Sequence, residues 1–168
     1  MNPVILSDNA FRDGTPTATD TATGYDALYI RDRKTYTSHK FASAGTKYYT
    51  VDCGAARAVD TLAIVKHNLG SAGATVSVEG SSDNFAADIN TVLAGFQPAD
   101  DYALMKAFNS VSYRYWRVKI VTATEAAEVA VLLLGERIEL PYPPDAPYVH
   151  YDEGAEIEES RSAEENHL

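Results

Sequence analysis

The sequence predicts an antiparallel all-β sandwich of about eight strands. Residues 59–66 (VDTLAIVK) form a nearly continuous apolar run, as in a strand that is covered on both faces. Residues 74–81 (ATVSVEGS) and 112–121 (SYRYWRVKIV) alternate apolar and polar side chains, which is the period of a half-buried strand. No window has the apolar spacing of a long amphipathic helix, so strands are expected to build the core.

The two alternating segments also assign side chains to faces. In the first, Val76 and Val78 lie on the apolar face and Glu79 on the face toward solvent. In the second, Trp116 and the apolar residues at every second position after it share a face with Arg114. We expect the Trp116 face to line the core.

The remaining elements follow from shorter patterns. Residues 47–54 alternate and end on a glycine, which indicates a strand running into a turn. Residues 103–109 are predicted to be a strand, and residues 127–140 a central strand because they are apolar and rich in β-branched side chains. Residues 82–101 are predicted to be a short helix or an irregular loop, because their apolar residues have helical spacing over only about three turns.

The chain of 168 residues is long enough for one domain, and its composition divides it into three parts. Residues 1–24 are expected to be an N-terminal arm or edge segment, since a Gly/Thr-rich stretch follows a short apolar run. Residues 25–140 are expected to form the β-sandwich. Residues 141–168 begin with PYPPDAPY and end in an acidic tail, so they form an extension that is either a docking arm or a free tail.

Charge and composition exclude several classes of function. The net charge is −10, of which the last seventeen residues carry −6, leaving only −4 for the rest of the chain. No basic stripe is present, so direct nucleic-acid binding is not expected. A single cysteine excludes an internal disulfide and a thiolate metal cluster. No secretory signal and no apolar run long enough to insert into a membrane are found in the sequence.

Several stretches together resemble the discoidin-like, galactose-binding-like jelly rolls. They are YYTVDCGAARAVDTLAIVKHNL (48–69), TVSVEGSSDNF (75–85) and SYRYWRVKI (112–120), with ALYIRDRKTYTSHKFASAG (27–45) upstream. The resemblance covers roughly residues 25 to 138 and implies a galactose-binding-like sandwich with extended N- and C-terminal arms. Cys53 and Lys66 depart from the pattern, because an aliphatic residue and a small residue are usual at these positions.

A narrower resemblance concerns function. KHNL (66–69), GSSD (80–83) and LLLGERIELPYPP (132–144) resemble tail-tip or distal-tail proteins of bacteriophages and prophages. This resemblance implies a non-enzymatic structural subunit of the virion tail, made in the bacterial cytoplasm and assembled into a symmetric baseplate with copies of itself and other tail proteins. Tyrosines expected to contact such partners are Tyr142, Tyr148, Tyr151, Tyr113 and Tyr115.

The alternative function is a carbohydrate-binding module for adsorption to a host surface, since galactose-binding-like folds often carry sugar sites on their loops. A sugar site needs an exposed aromatic ring beside polar side chains, and Tyr36, His39, Asp83 and Asn84 are the candidates. No cofactor is expected. A structural calcium ion, held by aspartates between residues 8 and 26, is a further hypothesis without a D-x-D-x-D pattern behind it.

The stretch KHNLGSAG (66–73) is the strongest candidate for chemistry. His67 could act as a base or metal ligand, but no other histidine is near it in sequence and no nucleophile elbow, P-loop or metal motif is present. The simpler interpretation makes His67 a structural turn residue, with Asn68 and the glycines accepting positive φ. We therefore expect no enzyme activity.

Overall fold

The computed structural model describes residues 4–6 and 8–140, which form an antiparallel β-sandwich with almost no helix. In chain order the elements are β1 (Val4–Ile5), α1 (Ala10–Asp13), β2 (Thr15–Ala18), a 3₁₀ helix (Ala27–Arg31), β3 (His39–Lys40), β4 (Gly45–His67), β5 (Thr75–Ser81), β6 (Asn90–Phe96), β7 (Leu104–Thr122), β8 (Glu128–Gly135) and β9 (Ile138–Glu139). The all-β prediction is confirmed. Within the described residues, no helix combines the length and apolar character needed to cross a bilayer.

Two long strands, β4 and β7, are shared by both layers of the sandwich. Residues 45–52 of β4 pair with residues 115–122 of β7, and β2 and β5 flank this pair, with β6 beyond β5. Residues 57–64 of β4 pair with residues 104–113 of β7, and β8 and then β3 extend this second layer. A register shift separates the two halves, so the β4–β7 pair bends from one layer into the other.

The bend has a local cause in the sequence. Gly54 lies there with φ of +74°, a conformation that side-chain-bearing residues rarely adopt, and its amide donates to the Asp52 carboxylate at 2.7 Å. The same carboxylate accepts two hydrogen bonds from Arg114, each 2.8 Å long. This pairing, together with Gly54, lowers the pKa of Asp52 to about 2.

Trp116 lies at the centre of the core and is fully buried. Its Nε1 donates to the Tyr113 carbonyl at 2.9 Å, and the two rings meet edge to face at 5.6 Å. Arg114 does not share this face, contrary to the prediction, because the bend breaks the alternation and leaves Arg114 exposed. Glu79, predicted to face solvent, is also buried, because the Arg117 guanidinium covers it with a contact of 2.5 Å.

Residues 82–101 differ from the predicted helix or irregular loop. Residues 90–96 form strand β6, which pairs with β5, and a tight turn precedes it. The Asp83 carboxylate organises this turn by accepting from the amides of Ala86, Ala87 and Asp88. The helical spacing of the apolar residues is therefore coincidental, and a side chain–backbone turn supplies the local order.

The N-terminal segment contributes to the sandwich. Asn9 caps α1, and the neighbouring Ala10 and Phe11 are completely buried in the core. The edge strand β2 then pairs with β4, so that Thr15 lies opposite Asp52. The C-terminal extension proposed for residues 141–168 lies outside the described residues.

The sandwich has two distinct ends. We call one the loop end, formed by residues 32–38, 68–74, 97–103 and 123–127, and the other the bend end, formed by residues 53–56 and 82–89. The β1–β9 pair follows the end of β8 that pairs with Thr61, close to the bend. Both described ends of the chain are thus away from the loop end.

Candidate functional site

The turn that follows β4 is held to neighbouring segments by the side chain of Asn68. Its Oδ1 accepts from the Glu128 amide at 2.7 Å, while Nδ2 donates to the Ala126 carbonyl at 3.1 Å and to the Glu125 carboxylate at 3.2 Å. Asn68 does not take the positive φ expected of it. Gly73 does take it, as predicted, with φ of +58°, and Lys66 takes it unexpectedly, with φ of +53°.

His67 is largely buried beside this turn, with 7% of its surface exposed. Its Nδ1 accepts a hydrogen bond from the Leu69 amide at 3.2 Å, so the neutral ring carries its proton on Nε2. Burial lowers the pKa of His67, against the opposing effects of the Tyr102 backbone and the Asp101 carboxylate. The ring is therefore neutral near pH 7, and its Nδ1 has the structural turn role that the sequence predicted.

Lys66 has the strained backbone conformation of this turn, a positive φ. A positive φ disfavours any residue with a Cβ, and such strained positions cluster at functional sites. Its Nζ donates to the Thr35 carbonyl at 2.6 Å, which brings the 32–38 segment against the end of β4. The lysine that departs from the family pattern is thus the residue that positions a charged group at the loop end.

A pocket of about 180 Å³ lies between these groups, lined by Ser38, Lys66, His67, Asn68 and Glu128. The Ser38 hydroxyl donates to Glu128 Oε1 at 2.6 Å. The lining combines an ammonium, a carboxylate, a hydroxyl and an amide, which together can hydrogen-bond a ligand rich in hydroxyl groups. Apolar wall surface also contributes to the pocket through the aliphatic parts of these side chains.

An exposed tyrosine adjoins the pocket in the chain. Tyr36 follows Thr35, which bonds Lys66, and precedes Ser38 of the lining by two residues. It is 78% exposed, and the Lys34 ammonium lies 5.8 Å from its ring centre. An exposed ring two residues from the pocket lining is a candidate to stack against a bound ligand.

A wider depression of about 530 Å³ covers residues 21–27 and Tyr29. Asp26 is its only ionisable side chain besides the tyrosines, and the carboxylate already caps the 3₁₀ helix by accepting from the Leu28 amide at 2.8 Å. The lining of this depression does not pair a cation with a carboxylate, so we regard the smaller Lys66 pocket as the candidate site.

The four predicted sugar contacts are not brought together. Tyr36 lies at the loop end, whereas Asp83 and Asn84 follow β5 at the bend end. The predicted sugar contact at His39 is wrong, because this residue is completely buried and its ring bonds the Tyr49 hydroxyl at 2.8 Å and the Thr21 hydroxyl at 3.1 Å. Burial lowers the pKa of His39, which fits a neutral core histidine.

The tyrosines predicted to contact partners are divided by the fold. Tyr113 is half-buried and packs against Trp116, so much of its ring belongs to the core. Tyr115 is partly exposed at the bend, where the Arg114 guanidinium lies 4.8 Å from its ring centre. Tyr142, Tyr148 and Tyr151 lie outside the described residues.

The aspartates proposed to hold calcium are engaged with protein partners. Asp8 and Asp13 both bond Arg57, and Asp20 forms an ion pair with Lys47. Among the described residues, no group of three or more histidine, cysteine or acidic side chains is arranged to hold a metal ion. The calcium hypothesis therefore gains no support from the geometry.

Sequence reasoning missed most of the pocket. Ser38 and Glu128 are ninety positions apart, and each looks like an ordinary surface residue in its own segment. The departure of Lys66 from the family pattern was the one available signal, since an unexpected residue at a strained turn position indicates a local requirement.

No protein-family model matches the sequence, and no curated protein is detectably similar to it in sequence. Solved structures do resemble the fold. A chitosan-binding module from a chitosanase/glucanase of Paenibacillus sp. IK-5 matches with a TM-score of 0.65 and 16% identity, over 77% of this chain and 99% of that one.

Two further structures show the same likeness. A CBM32 module from Clostridium perfringens, in complex with GalNAc-β-1,3-galactose, has a TM-score of 0.63 and 11% identity, over 77% of this chain and all of that one. A pectin-binding carbohydrate-binding module has a TM-score of 0.59 and 14% identity, over 81% of this chain and 93% of that one.

These likenesses confirm the galactose-binding-like jelly roll predicted from the sequence. The narrower resemblance to phage tail-tip proteins gains no support from them, and neither does the predicted homo-oligomer. The virion location and the tail-protein partners stay predictions of the sequence.

Proposed function

We propose that the protein is a non-catalytic carbohydrate-binding module whose saccharide site is the pocket at the loop end. One observation carries the proposal: Lys66 and Glu128 place opposite charges in one small pocket, and the exposed Tyr36 lies two residues from Ser38 of its lining. A sugar presents hydroxyl groups around its edge and an apolar face. The charged groups of Lys66 and Glu128 can hydrogen-bond the hydroxyl groups, and the Tyr36 ring can stack on the apolar face.

The structural neighbours support this class of ligand. The modules that share the fold are described as binding chitosan, GalNAc-β-1,3-galactose and pectin, which are chemically different saccharides. Their variety favours saccharide binding in general over any one of these sugars.

The pocket lacks a Ser–His–acid relay. Ser38 bonds the Glu128 carboxylate directly, and His67 Nδ1 is occupied by the Leu69 amide. A Ser–His–acid triad needs a histidine between the serine and the acid to accept the serine proton, and the direct bond from Ser38 to Glu128 leaves no histidine in that place. The same three side chains can still hydrogen-bond a sugar in its ground state.

A glycan array probed with the full chain tests the proposal. We expect retention on at least one class of glycan, and a reduction of about tenfold or more for Tyr36→Ala and Lys66→Met, since each removes a contact worth about 1–2 kcal/mol. Tyr115→Ala, which removes a tyrosine at the bend end, is the matched control and should bind as the wild type does. Retention that is lost in Tyr115→Ala but kept in Tyr36→Ala would refute the site.

A further inference from the structure

We infer that the pocket at the loop end selects saccharides that carry an anionic group, a carboxylate or a sulfate. This ligand class deepens the proposed function and rests on it. The carboxylate that lines the pocket is already engaged by groups of the protein, whereas two ammonium groups at the pocket are not paired with any carboxylate of the described residues.

Glu128 supplies the one carboxylate among the residues that line the pocket. Its Oε1 accepts from the Ser38 hydroxyl at 2.6 Å, and its Oε2 lies 4.0 Å from the Lys40 ammonium. Both oxygens thus have a partner in the protein. The nearby cation offsets the repulsion that this carboxylate would exert on an anionic ligand.

The Lys66 ammonium has no such counter-charge. Its Nζ donates to the Thr35 carbonyl at 2.6 Å, which is a neutral acceptor. No carboxylate of the described residues forms an ion pair with Lys66, although most lysine and arginine side chains in that part of the chain do form one. An ammonium group has three donors, so two of them have no partner among the described residues and can bind an anion in the pocket.

A second ammonium group lies on the segment that leads into the pocket. Lys34 Nζ is 5.8 Å from the centre of the exposed Tyr36 ring, and Lys34 likewise forms no ion pair with a carboxylate of the described residues. The adjacent acid, Asp32, is engaged within its own loop, where its two oxygens accept from the Lys34 amide and the Thr37 hydroxyl, each at 2.8 Å. The Lys34 ammonium is therefore not paired with the acid nearest to it in the sequence.

The positive charge of this segment contrasts with the acidity of the chain as a whole. The net charge of the chain is −10, yet residues 31–40 hold four cations and one acid. The hydrogen bond from Lys66 to Thr35 brings a fifth cation to the same segment. Like charges grouped in this way attract anions over about 8–10 Å at physiological salt, so an acidic saccharide is drawn to this part of the surface.

Isothermal titration of the full chain with trigalacturonate and with its methyl ester tests the inference, because esterification removes the charge and keeps the sugar. We expect the acid to bind about tenfold or more tightly than the ester, since a charge-assisted hydrogen bond is lost in the ester. This advantage should shrink between about 0.05 M and about 0.5 M salt, because salt screens exposed charges. A sulfated galactose trimer and its unsulfated form show whether sulfate is also recognised, and the cationic glucosamine trimer should bind more weakly than trigalacturonate.

Substitution of the two lysines locates the recognised charge. Lys66→Met should lower the ratio of acid to ester affinity to about threefold or less, and Lys34→Met should lower it by a smaller factor. Lys106→Met is the matched control and should keep the ratio. Lys106 is also an exposed lysine beside an aromatic ring, 5.1 Å from the centre of Phe96, but it lies on β7, which is on the other side of β4 from β8.

Tyr36→Ala separates this inference from the proposed function. Stacking of the ring on a sugar face does not depend on the charge of the ligand, so this variant should weaken the acid and the ester by a similar factor and keep their ratio. A ratio that collapses in Tyr36→Ala but survives in Lys66→Met would overturn the assignment of the charge to Lys66.

The outcomes distinguish the two proposals. If no saccharide binds, the proposed function fails and the anionic ligand class fails with it. If the acid and the ester bind equally, or the glucosamine trimer binds more tightly than trigalacturonate, the anionic class is refuted while the saccharide site stands. If the acid is preferred but Lys66→Met leaves the preference intact, the anion is recognised elsewhere and the assignment to this pocket is refuted.

Discussion

The side chain of Asn68 and the backbone of Glu128 are joined by a hydrogen bond of 2.7 Å, in which the Glu128 amide donates to Oδ1. The backbone amide of Asn68 also donates to the Glu128 carbonyl at 3.2 Å. One residue thus satisfies both backbone groups of the residue that begins β8. This relationship joins two of the segments that form the candidate site, because Glu128 and Asn68 line the same pocket.

Replacing Asn68 with alanine is therefore expected to destabilise the fold. The variant loses three side-chain hydrogen bonds and leaves the partly buried Glu128 amide without its partner. We expect the free energy of unfolding to fall by about 1–3 kcal/mol, as measured by urea unfolding followed through the fluorescence of the single tryptophan. Asn109→Ala, at an exposed position in β7, should change stability by less than about 0.5 kcal/mol. Equal stability of the two variants would contradict this role of Asn68.

Gly70 is predicted to tolerate no side chain. A Cβ at this position would meet the Asp100 backbone at 2.4 Å, so Gly70→Ala must push the two loops apart. We expect a loss of about 1–3 kcal/mol in the free energy of unfolding. Gly95→Ala provides the comparison, because the nearest atom to its Cβ would be a threonine methyl group at 3.0 Å that can move. The explanation fails if both alanine variants have the same stability.

Lys66 is predicted to contribute to glycan binding although its backbone conformation is strained. Lys66→Gly removes a positive-φ penalty of about 1 kcal/mol and loses an exposed hydrogen bond of similar strength. The free energy of unfolding should therefore change by less than about 1 kcal/mol, whereas glycan affinity should fall about tenfold. Lys106→Gly, at an exposed strand position, should show the opposite pattern, with about 1 kcal/mol of lost stability and unchanged binding. A Lys66→Gly protein that binds like the wild type would remove Lys66 from the site.

Stability is predicted to fall as the pH drops below about 6.5, the ordinary pKa of histidine. Burial lowers the pKa of His39 and of His67 in the folded protein. The unfolded chain then binds more protons than the folded one, so the contribution is complete above pH 6.5 and is lost as the pH falls toward the folded-state values. Urea unfolding at pH 7.5 and pH 5.5 should show the decrease, and NMR titration should give both ring midpoints below 6.5. Midpoints at or above 6.5 would contradict the neutral, buried rings.

The sequence was informative where a strand pattern is local. The apolar run of β4 and the alternation around Trp116 depend on side chains within a few positions, so the strands and the core face were predictable. The faces of the sheet on which Arg114 and Glu79 lie were not predictable from the sequence. The first depends on the bend in the β4–β7 pair, and the second on Arg117, which lies across the strand pair from Glu79.

The candidate site was less predictable for a related reason. Tyr36 was identified because an exposed aromatic ring is suggestive by itself, but the ligand groups around it come from segments far apart in the chain. His39 was mistaken for a surface residue, since nothing local shows that Tyr49 and Thr21 enclose its ring. Whether a side chain is enclosed on all sides, and which distant loops meet, depend on how the whole sandwich packs. A single segment of sequence does not encode these properties.

An NMR titration of the isotopically labelled full chain with glucosamine trimer, and with an oligogalacturonate of equal length, tests the central claim most directly. We expect the amide resonances of residues 35–38 and 66–68 to shift on addition of at least one of the two saccharides, while those of the bend end, residues 82–89, stay in place. Saturable shifts confined to residues 82–89, or no shifts with either saccharide, would contradict a carbohydrate site at the loop end.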